Sequence, residues 1–187
     1  MDTASKANEN QLNRVVVITS YFKKQNEETN ITRPKDSLYS TPQKEEPKPI
    51  ENQQKSFEQQ LKEGSSNIIL NNLNFEGGRH VLLSTSIPAL ENILETMKKY
   101  PGLEVEIQGH VCCVEASEPD GMDLDTNEKA LSLNRAKAIF DYLASNGISQ
   151  NRMTYKGFGS RNRLVYPERT EADATTNRRV EFKIIKR

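Results

Sequence analysis

The sequence predicts an α+β fold in which one mixed β-sheet carries two helices on one face. Three observations lead to this prediction: two segments with apolar residues at helical spacing, short apolar or β-branched runs around them, and Gly or Pro residues at the junctions. The predicted elements follow one another as β-α-β-α-β-β. This order is expected when two helices cover one face of a sheet that is not wholly parallel.

The first strand and the first helix follow a change from polar to apolar composition. The first strand is predicted at Ile68 to Phe75, and two glycines after it permit a tight turn. The helix is predicted to begin at Thr85 or Ser86, either of which can cap it. Its apolar face comprises residues at i, i+3, i+4 and i+7, namely Leu90, Ile93, Leu94 and Met97.

Three further strands complete the predicted sheet. The second strand alternates strictly, so we expect one buried and one solvent-exposed face. The alternating residues are apolar Leu103, Val105 and Ile107 and polar Glu104, Glu106 and Gln108. The third strand is predicted at residues 153–156 and the last at residues 180–185.

The second helix is predicted to begin between Thr126 and Ser132, either of which can cap it, and to end at Gly147. Leu131 and Arg135 are four residues apart and are expected to lie together on the flank of the core face. The core face itself is predicted to comprise Leu133, Ala136, Phe140, Leu143 and Ala144.

Composition argues against several classes of function. Lys+Arg and Asp+Glu both number 26, so no basic surplus indicates a nucleic-acid partner, and the absence of Trp argues against a base-stacking surface. No apolar run approaches the roughly 20 residues of a membrane-spanning helix. The first residues also lack the features of a secretory signal, which by itself indicates the cytoplasm. A chain without its natural beginning would show the same pattern.

The chain is predicted to have three parts. Residues 67–187 hold the α+β domain, and residues 23–66 are a polar, Pro-containing flexible linker with a root-mean-square span of roughly 35–40 Å. A turn or two of helix in residues 57–63 is the alternative for the end of this linker. Residues 1–22 contain a β-branched strand, RVVVITSYF, that has nothing to pair with.

Four short motifs in residues 68–187 carry a resemblance to a known family. They are Gly109-His110, LSLNRA at residues 131–136, GFG at residues 157–159 and NRRVEF at residues 177–182. In this order they resemble the OmpA-like peptidoglycan-binding domains of outer-membrane protein A, the peptidoglycan-associated lipoprotein and the flagellar stator. The resemblance implies a βαβαββ two-layer sandwich in the periplasm or at the outer membrane. It also implies non-enzymatic, cofactor-free binding of the diaminopimelate-containing stem peptide of peptidoglycan.

The resemblance also implies which residues bind the ligand. Arg135 falls on the family's ligand-binding arginine, whose planar fork can hold a carboxylate, and Arg179 falls on a residue that supports the site. The alternative for Arg135 is pairing with the acidic loop or Glu128. The family's Gly-His-Thr-Asp motif, whose aspartate receives the ligand's ammonium, is here GHVC, so Cys112 stands at the aspartate's position. Leu131 lies beside Arg135 and completes the candidate set.

The missing aspartate leaves three interpretations open. An acid of the following loop replaces it, the ligand differs, or the domain has lost peptidoglycan binding. In the last case the alternative function is a domain that keeps its fold and binds a protein partner instead of peptidoglycan. We favour replacement by Asp123 or Asp125, for which the alternative is a solvated loop. The acids of this loop are Glu115, Glu118, Asp120, Asp123 and Asp125.

Histidine and cysteine side chains in the same region raise two other chemistries. His110 with Cys112 and Cys113 could form a soft-metal site or a thiol hydrolase, but adjacent thiolates seldom chelate one ion and no third group stands at a recognisable triad spacing. Adjacent cysteines also cannot form a long-range disulfide. We therefore expect small buried cysteines, a structural His110, a surface His80, no metal and no catalytic residue. Asp123-Leu124-Asp125 lacks the glycine and terminal glutamate of an EF-hand loop.

The lone amino-terminal strand has an explanation within this resemblance. Residues 13–18, NRVVVI, can be laid over residues 177–182, NRRVEF. We therefore hypothesise that residues 1–22 are the final strand of an upstream OmpA-like domain. Outer-membrane association would then come from an upstream segment that is absent from this chain.

Overall fold

A four-stranded mixed sheet organises the fold. In the computed structural model, which describes residues 55–70, 72–114, 118 and 120–187, the strands lie in the order β1-β4-β2-β3. β2 pairs in parallel with β3, whereas β4 runs antiparallel to both β1 and β2. The strands are β1 (Asn67–Ile69), β2 (Glu104–Gly109), β3 (Met153–Gly157) and β4 (Val180–Lys186).

Two long helices and two short ones accompany this sheet in the described part of the chain. They are α1 (Phe57–Lys62), α2 (Ile87–Lys99), α3 (Leu131–Ser145) and α4 (Glu171–Asn177). The arrangement confirms the predicted α+β class, with the two long helices α2 and α3 packed on the sheet. None of the helices in the described segments has the length and apolar character needed to cross a membrane.

The core lies between the sheet and the two long helices. Each helix contributes one stripe of fully buried side chains, and burying such a side chain stabilises the fold by roughly 1.5–3 kcal/mol. The largest of these residues are Leu90, Ile93 and Met97 from α2, Ile139 and Leu143 from α3, and Val105, Ile107 and Phe182 from the sheet.

The folded part begins earlier than the predicted boundary at residue 67. Ser56 caps α1 through a capping box with Gln59. Phe57 is fully buried and packs edge-to-face on Phe182 with ring centroids 5.2 Å apart, and Leu61 lies beside it in the core. The predicted boundary between linker and domain at residue 67 is therefore wrong. Phe57 and Leu61, which are four residues apart, pack α1 onto the sheet, so the domain includes α1. Residues 1–22 and the linker up to residue 54 lie outside the described residues.

Two strand predictions also need correction. β1 ends at Ile69 instead of Phe75, since Phe75 makes only an isolated bridge with Leu82. On β2, the polar face is buried instead of exposed. Glu106 lies 2.5 Å from Lys156 and accepts a 2.7 Å hydrogen bond from Gln108, because long side chains cover the centre of the sheet.

The buried face of α3 is rotated from the predicted one. Leu133 is 38% exposed, whereas Leu131 and Arg135, expected on the flank, are buried. α3 begins at Leu131 after Ala130, which makes no side-chain cap. The predicted cap of α2, Ser86, likewise makes no capping bond, because its hydroxyl bonds the backbone of Asn74. The residues that α3 buries are Leu131, Ser132, Arg135, Ala136, Ile139 and Leu143.

Candidate functional site

The first turn of α3 lies directly against the carboxyl ends of β2 and β3. Gly109 and Gly157, the paired last residues of these strands, make this approach possible. A Cβ atom at Gly109 would lie 2.0 Å from the Ser132 carbonyl oxygen, and one at Gly157 would lie 2.6 Å from the Leu133 nitrogen. Only glycine fits at either position, which explains physically why the GH and GFG motifs occur at these two strand ends.

A pocket of about 590 Å³ opens at this end of the sheet. It lies where the loops after β2, the start of α3 and the residues before β4 converge. This placement brings together four of the six residues predicted to bind ligand, namely Cys112, Leu131, Arg135 and Arg179. Its lining also includes His110 and Arg178.

Arg135 supplies a buried positive charge to this pocket. Its side chain donates from Nε to the Arg79 carbonyl at 3.0 Å and from Nη2 to the Glu76 carbonyl at 3.2 Å, with the guanidinium 5.0 Å from the centroid of the Phe75 ring. Among the described residues, no carboxylate forms an ion pair with it, and the loop acids Asp123 and Asp120 favour its charged form only from beyond ion-pair distance. Burial, with a smaller contribution from Arg178, lowers the pKa of Arg135 to about 10, which leaves it charged at neutral pH.

The other two guanidiniums of the pocket already have carboxylate partners. Arg179 Nη2 lies 2.5 Å from the Glu181 carboxylate, and Arg178 forms an ion pair with Glu171. Arg178 also approaches the Cys112 sulfur, with Nη1 3.4 Å from Sγ. Sequence reasoning did not select Arg178, since two adjacent arginines before a strand look equivalent until the surrounding loops are placed.

His110 lies under the pocket with its imidazole unsatisfied. The residue is 3% exposed and its ring stacks on Phe158 with centroids 5.3 Å apart. Its backbone N–H donates to the Arg179 carbonyl, but neither ring nitrogen has a hydrogen-bond partner among the described residues. Burial, followed by the charge of Arg179, lowers the pKa of His110 to about 4, so the ring is neutral at pH 7.

Cys112 and Cys113 are joined by a disulfide between neighbouring residues. Cys113 has a left-handed backbone conformation with φ of 61° and is exposed, while Cys112 lines the pocket. The expectation of two small buried cysteines is therefore wrong. It assumed that neighbouring side chains point to opposite sides, as they do in a strand, whereas this turn brings them together.

Comparison with known proteins identifies the family of this fold and pocket. A model of the OmpA family matches residues 74–178. The chain belongs to the OmpA family. The outer membrane porin F of Pseudomonas fluorescens is 30% identical over 110 residues, which are 59% of this chain and 31% of the porin. The chain therefore matches less than a third of the length of this relative.

Solved structures of similar proteins agree with the fold of this OmpA domain. The cell wall anchor of the T6SS from Pseudomonas aeruginosa is 22% identical, with a TM-score of 0.53 over 65% of this chain and 80% of that one. A putative MotB-like protein from Desulfovibrio vulgaris is 21% identical, with a TM-score of 0.53 over 63% of this chain and 71% of that one. At these identities the comparison establishes the fold alone.

Asp123 and Asp125 are engaged in a polar network and do not line the pocket. Asp123 is fully buried, and its carboxylate lies 2.7 Å from His80 Nδ1 and accepts a hydrogen bond from Asn134. Asp125 pairs with Arg79 at 2.7 Å. Burial disfavours the ionised form of Asp123, but bonds from Asn134 and the Asp125 backbone outweigh it and lower its pKa. The prediction of a surface His80 is wrong, since it is half-buried in this network.

Two groups of side chains in the described segments have the chemistry of metal ligands. The donor atoms of Cys112, Cys113 and Glu168 lie within 4.8 Å of one another, but the two sulfurs are bonded to each other and are not thiolates. The donors of His80, Asp123 and Asp125 are equally close and are of types that a divalent cation accepts. In the structure, the His80 ring and the Arg79 guanidinium contact these carboxylates instead.

Proposed function

We propose that this OmpA domain binds the stem peptide of peptidoglycan non-covalently and thereby anchors an envelope protein to the cell wall. The observation that carries the proposal is the buried charge of Arg135, which has no carboxylate partner among the described residues. A buried cation is costly without a counter-ion. Nη1 and one N–H of Nη2 remain free of the hydrogen bonds described, so a ligand carboxylate can accept both in the fork geometry that guanidinium favours.

Membership of the OmpA family supports the same function. One protein with this fold is described as a cell wall anchor, and the relative in Pseudomonas fluorescens is an outer membrane porin. We accordingly infer a location in the periplasm, in association with the outer membrane.

A binding role fits the pocket better than thiol catalysis does. A nucleophilic cysteine needs a free thiolate, and the Cys112 sulfur is bonded to Cys113. His110 is neutral and is not hydrogen-bonded to either sulfur among the described contacts. The residues that the structure describes around the pocket therefore offer fixed donors for a ligand, and none of them is an activated nucleophile.

The test is retention of the full 187-residue chain on purified sacculi that contain diaminopimelate. Charge-assisted hydrogen bonds contribute roughly 1.5–3 kcal/mol, so Arg135→Ala is expected to weaken binding by about tenfold or more. Arg161→Ala is the matched control, since Arg161 is exposed and does not line the pocket. Thermal melting verifies that each variant is folded.

Two results would contradict the proposal. Equal binding by the wild type and Arg135→Ala would place the site elsewhere. Absence of binding by the folded wild type would instead favour a domain that keeps this fold and binds a protein partner.

A further inference from the structure

Three side chains with metal-ligating atoms meet outside the lining of the pocket. His80 lies on the turn before α2, whereas Asp123 and Asp125 lie on the loop that leads into α3. His80 Nδ1 is 2.7 Å from Asp123 Oδ2 and 3.6 Å from Asp125 Oδ2, and one donor atom from each residue lies within 4.8 Å of the other two. One imidazole nitrogen and two carboxylate oxygens are ligands that a divalent cation accepts.

One oxygen of Asp125 is buried at this point without a partner. The side chain is only 7% exposed. Arg79 Nη1 donates to Oδ1 at 2.7 Å, whereas Oδ2 is shielded from solvent and has no hydrogen-bond partner among the described residues. His80 Nδ1 is too far from Oδ2 for a hydrogen bond and lies closer to Asp123. A carboxylate oxygen that has lost its water without a replacement is costly, and a cation bound between the three residues would remove this cost.

Neutral donors already hold Asp123 in a fixed orientation. Its carboxylate is fully buried, with Asn134 Nδ2 donating to Oδ2 at 2.7 Å and the Asp125 backbone N–H donating to Oδ1 at 3.0 Å. Bonds of this kind orient ligating carboxylates at metal sites. Two guanidiniums act on the pair of acids: Arg79 contacts the other oxygen of Asp125, and Arg135 acts on Asp123 from beyond ion-pair distance. Neither occupies the space between the three donor atoms.

The spacing of the donors fits a small cation with short bonds. Zinc binds imidazole nitrogen at about 2.0–2.1 Å and carboxylate oxygen at about 2.0–2.2 Å, so neighbouring donors in a tetrahedral site are roughly 3.3–3.5 Å apart. The separations of 2.7 Å and 3.6 Å from His80 Nδ1 lie on either side of this range. Small side-chain movements would therefore complete the site. Zinc would replace the proton between Nδ1 and Asp123, and the neutral ring would keep its single N–H on Nε2.

We infer that His80, Asp123 and Asp125 form a binding site for a divalent transition-metal ion of the zinc class. Imidazole nitrogen suits zinc, whereas calcium and magnesium prefer oxygen ligands alone. A water completes the coordination. The site departs from the sequence-based expectation of no metal, because His80 precedes Asp123 by 43 residues and only the fold brings them together. It is independent of peptidoglycan binding and stands or falls separately from the proposed function.

The ion joins two segments that surround Arg135. Arg135 Nε donates to the Arg79 carbonyl at 3.0 Å, and Arg79 directly precedes the ligand His80. The loop before α3 is bonded to the same turn through the Leu124 N–H, which donates to the Gly78 carbonyl at 2.9 Å. A metal bound across the two segments adds a stronger link between them. It therefore stabilises the turn whose backbone holds the Arg135 guanidinium.

The test is calorimetry of zinc binding to the full-length, oxidised chain in buffer without reductant or chelator. The whole sequence contains only two histidines and two cysteines, and both cysteines are held in the disulfide. Background binding through thiolates is therefore excluded. One Zn²⁺ is expected to bind per chain, with Ca²⁺ and Mg²⁺ binding about tenfold or more weakly under the same conditions.

Two substitutions remove ligands without changing the size of the side chain greatly. Asp125→Asn and His80→Gln are each expected to weaken zinc binding by about tenfold or more. Asp141→Asn is the matched control, since Asp141 is partly exposed on α3 and pairs with Lys137 outside the cluster. Melting curves in metal-free buffer verify that each variant is folded. Zinc should raise the melting temperature of the wild type and of Asp141→Asn, with a smaller effect on the other two.

Nitrogen-15 spectra of the two histidine rings locate the ion independently of affinity. Addition of zinc is expected to shift the Nδ1 signal of His80 and to leave the ring of His110 unchanged. A shift confined to His110, or equal zinc affinities of Asp125→Asn and the wild type, would overturn the inference by placing the ion elsewhere. Absence of zinc binding by the folded wild type would overturn it outright. Tighter binding of calcium than of zinc would contradict the metal class.

Discussion

At the scale of single residues, His110 and Arg135 are both buried at the pocket: the His110 ring has no hydrogen-bond partner and Arg135 has no ion-pair partner among the described residues. The backbone around Gly109 and the stacking on Phe158 hold the His110 ring in place. Neither contact satisfies its nitrogens, and Arg179 disfavours a second proton on the ring. A ring in this position has a pKa that differs between the folded and unfolded states, which couples stability to pH.

Stability is expected to decrease when the pH falls from about 6.5 towards 4. The pKa of His110 is lowered from 6.5 to about 4 on folding, mainly by burial. In this range the unfolded chain binds a proton that the folded chain does not, so acid favours unfolding, and the contribution of His110 is complete only above pH 6.5. Urea unfolding at a series of pH values measures the effect.

The control for this prediction is His110→Gln, which cannot titrate. Between pH 6.5 and 4.5 its free energy of unfolding should vary less with pH than that of the wild type. The pKa of Asp123 and that of Glu106 are both lowered from values near 4, so their effects appear mainly at lower pH. An identical pH dependence in the two proteins would show that folding does not lower the pKa of His110.

At the scale of elements, the site depends on how the first turn of α3 packs against the ends of β2 and β3. Ser132 donates to the Asp120 carboxylate and accepts a bond from the Gly159 N–H, so the first turn of α3 is bonded to the loops on both sides. The glycines at the ends of β2 and β3 allow this turn to approach the backbone. Arg135 follows one turn later and is thereby directed into the pocket.

Gly109→Ala is expected to destabilise the domain by roughly 3 kcal/mol, because the new Cβ would overlap the Ser132 carbonyl oxygen. The obstacle is backbone, so it cannot rotate away as a side chain could. Gly77→Ala is the matched control, since a Cβ there meets nothing within 4 Å. Chemical denaturation compares the two variants, and equal stabilities would mean that α3 does not lie as close to β2 as the structure shows.

At the scale of the whole molecule, α1 completes the core from outside the predicted domain. The capping box at Ser56 begins the helix, and Phe57 enters the core against Phe182. Phe57 also donates its backbone N–H to the Asn92 side chain, which links α1 to α2. The short helix is therefore part of the domain that carries the pocket.

A chain of residues 67–187 is expected to be less stable than residues 52–187 by roughly 3–5 kcal/mol, the cost of removing a buried Phe side chain. Thermal unfolding of the two chains measures the difference. In the full chain, Phe57→Ala should show a similar loss, whereas Lys62→Ala, which changes an exposed residue, should have an effect below about 0.5 kcal/mol. Equal stability of the two shortened chains would show that α1 does not support the core.

Local patterns alone predicted the α+β class, the two long helices and most of the strands, because 3.6-residue and two-residue periodicities report directly which side is buried. Short motifs also predicted that Arg135 belongs to the candidate site, and Arg135 lines the pocket. They could not show that Leu133 is exposed or that β2 buries Glu106, since those outcomes depend on what packs against each face. The predicted domains in residues 1–22 and 23–54 remain predictions.

Only the tertiary structure decided which polar groups meet. Asp123 and Asp125 follow β2 in the chain, yet they contact His80 and Arg79, which are about 45 residues earlier. Arg178 reaches the pocket, and the adjacent cysteines close a disulfide, because the loops before β4 and after β2 converge at one end of the sheet. A sequence specifies residue types and local spacing, whereas charge balance in a pocket depends on contacts between distant segments.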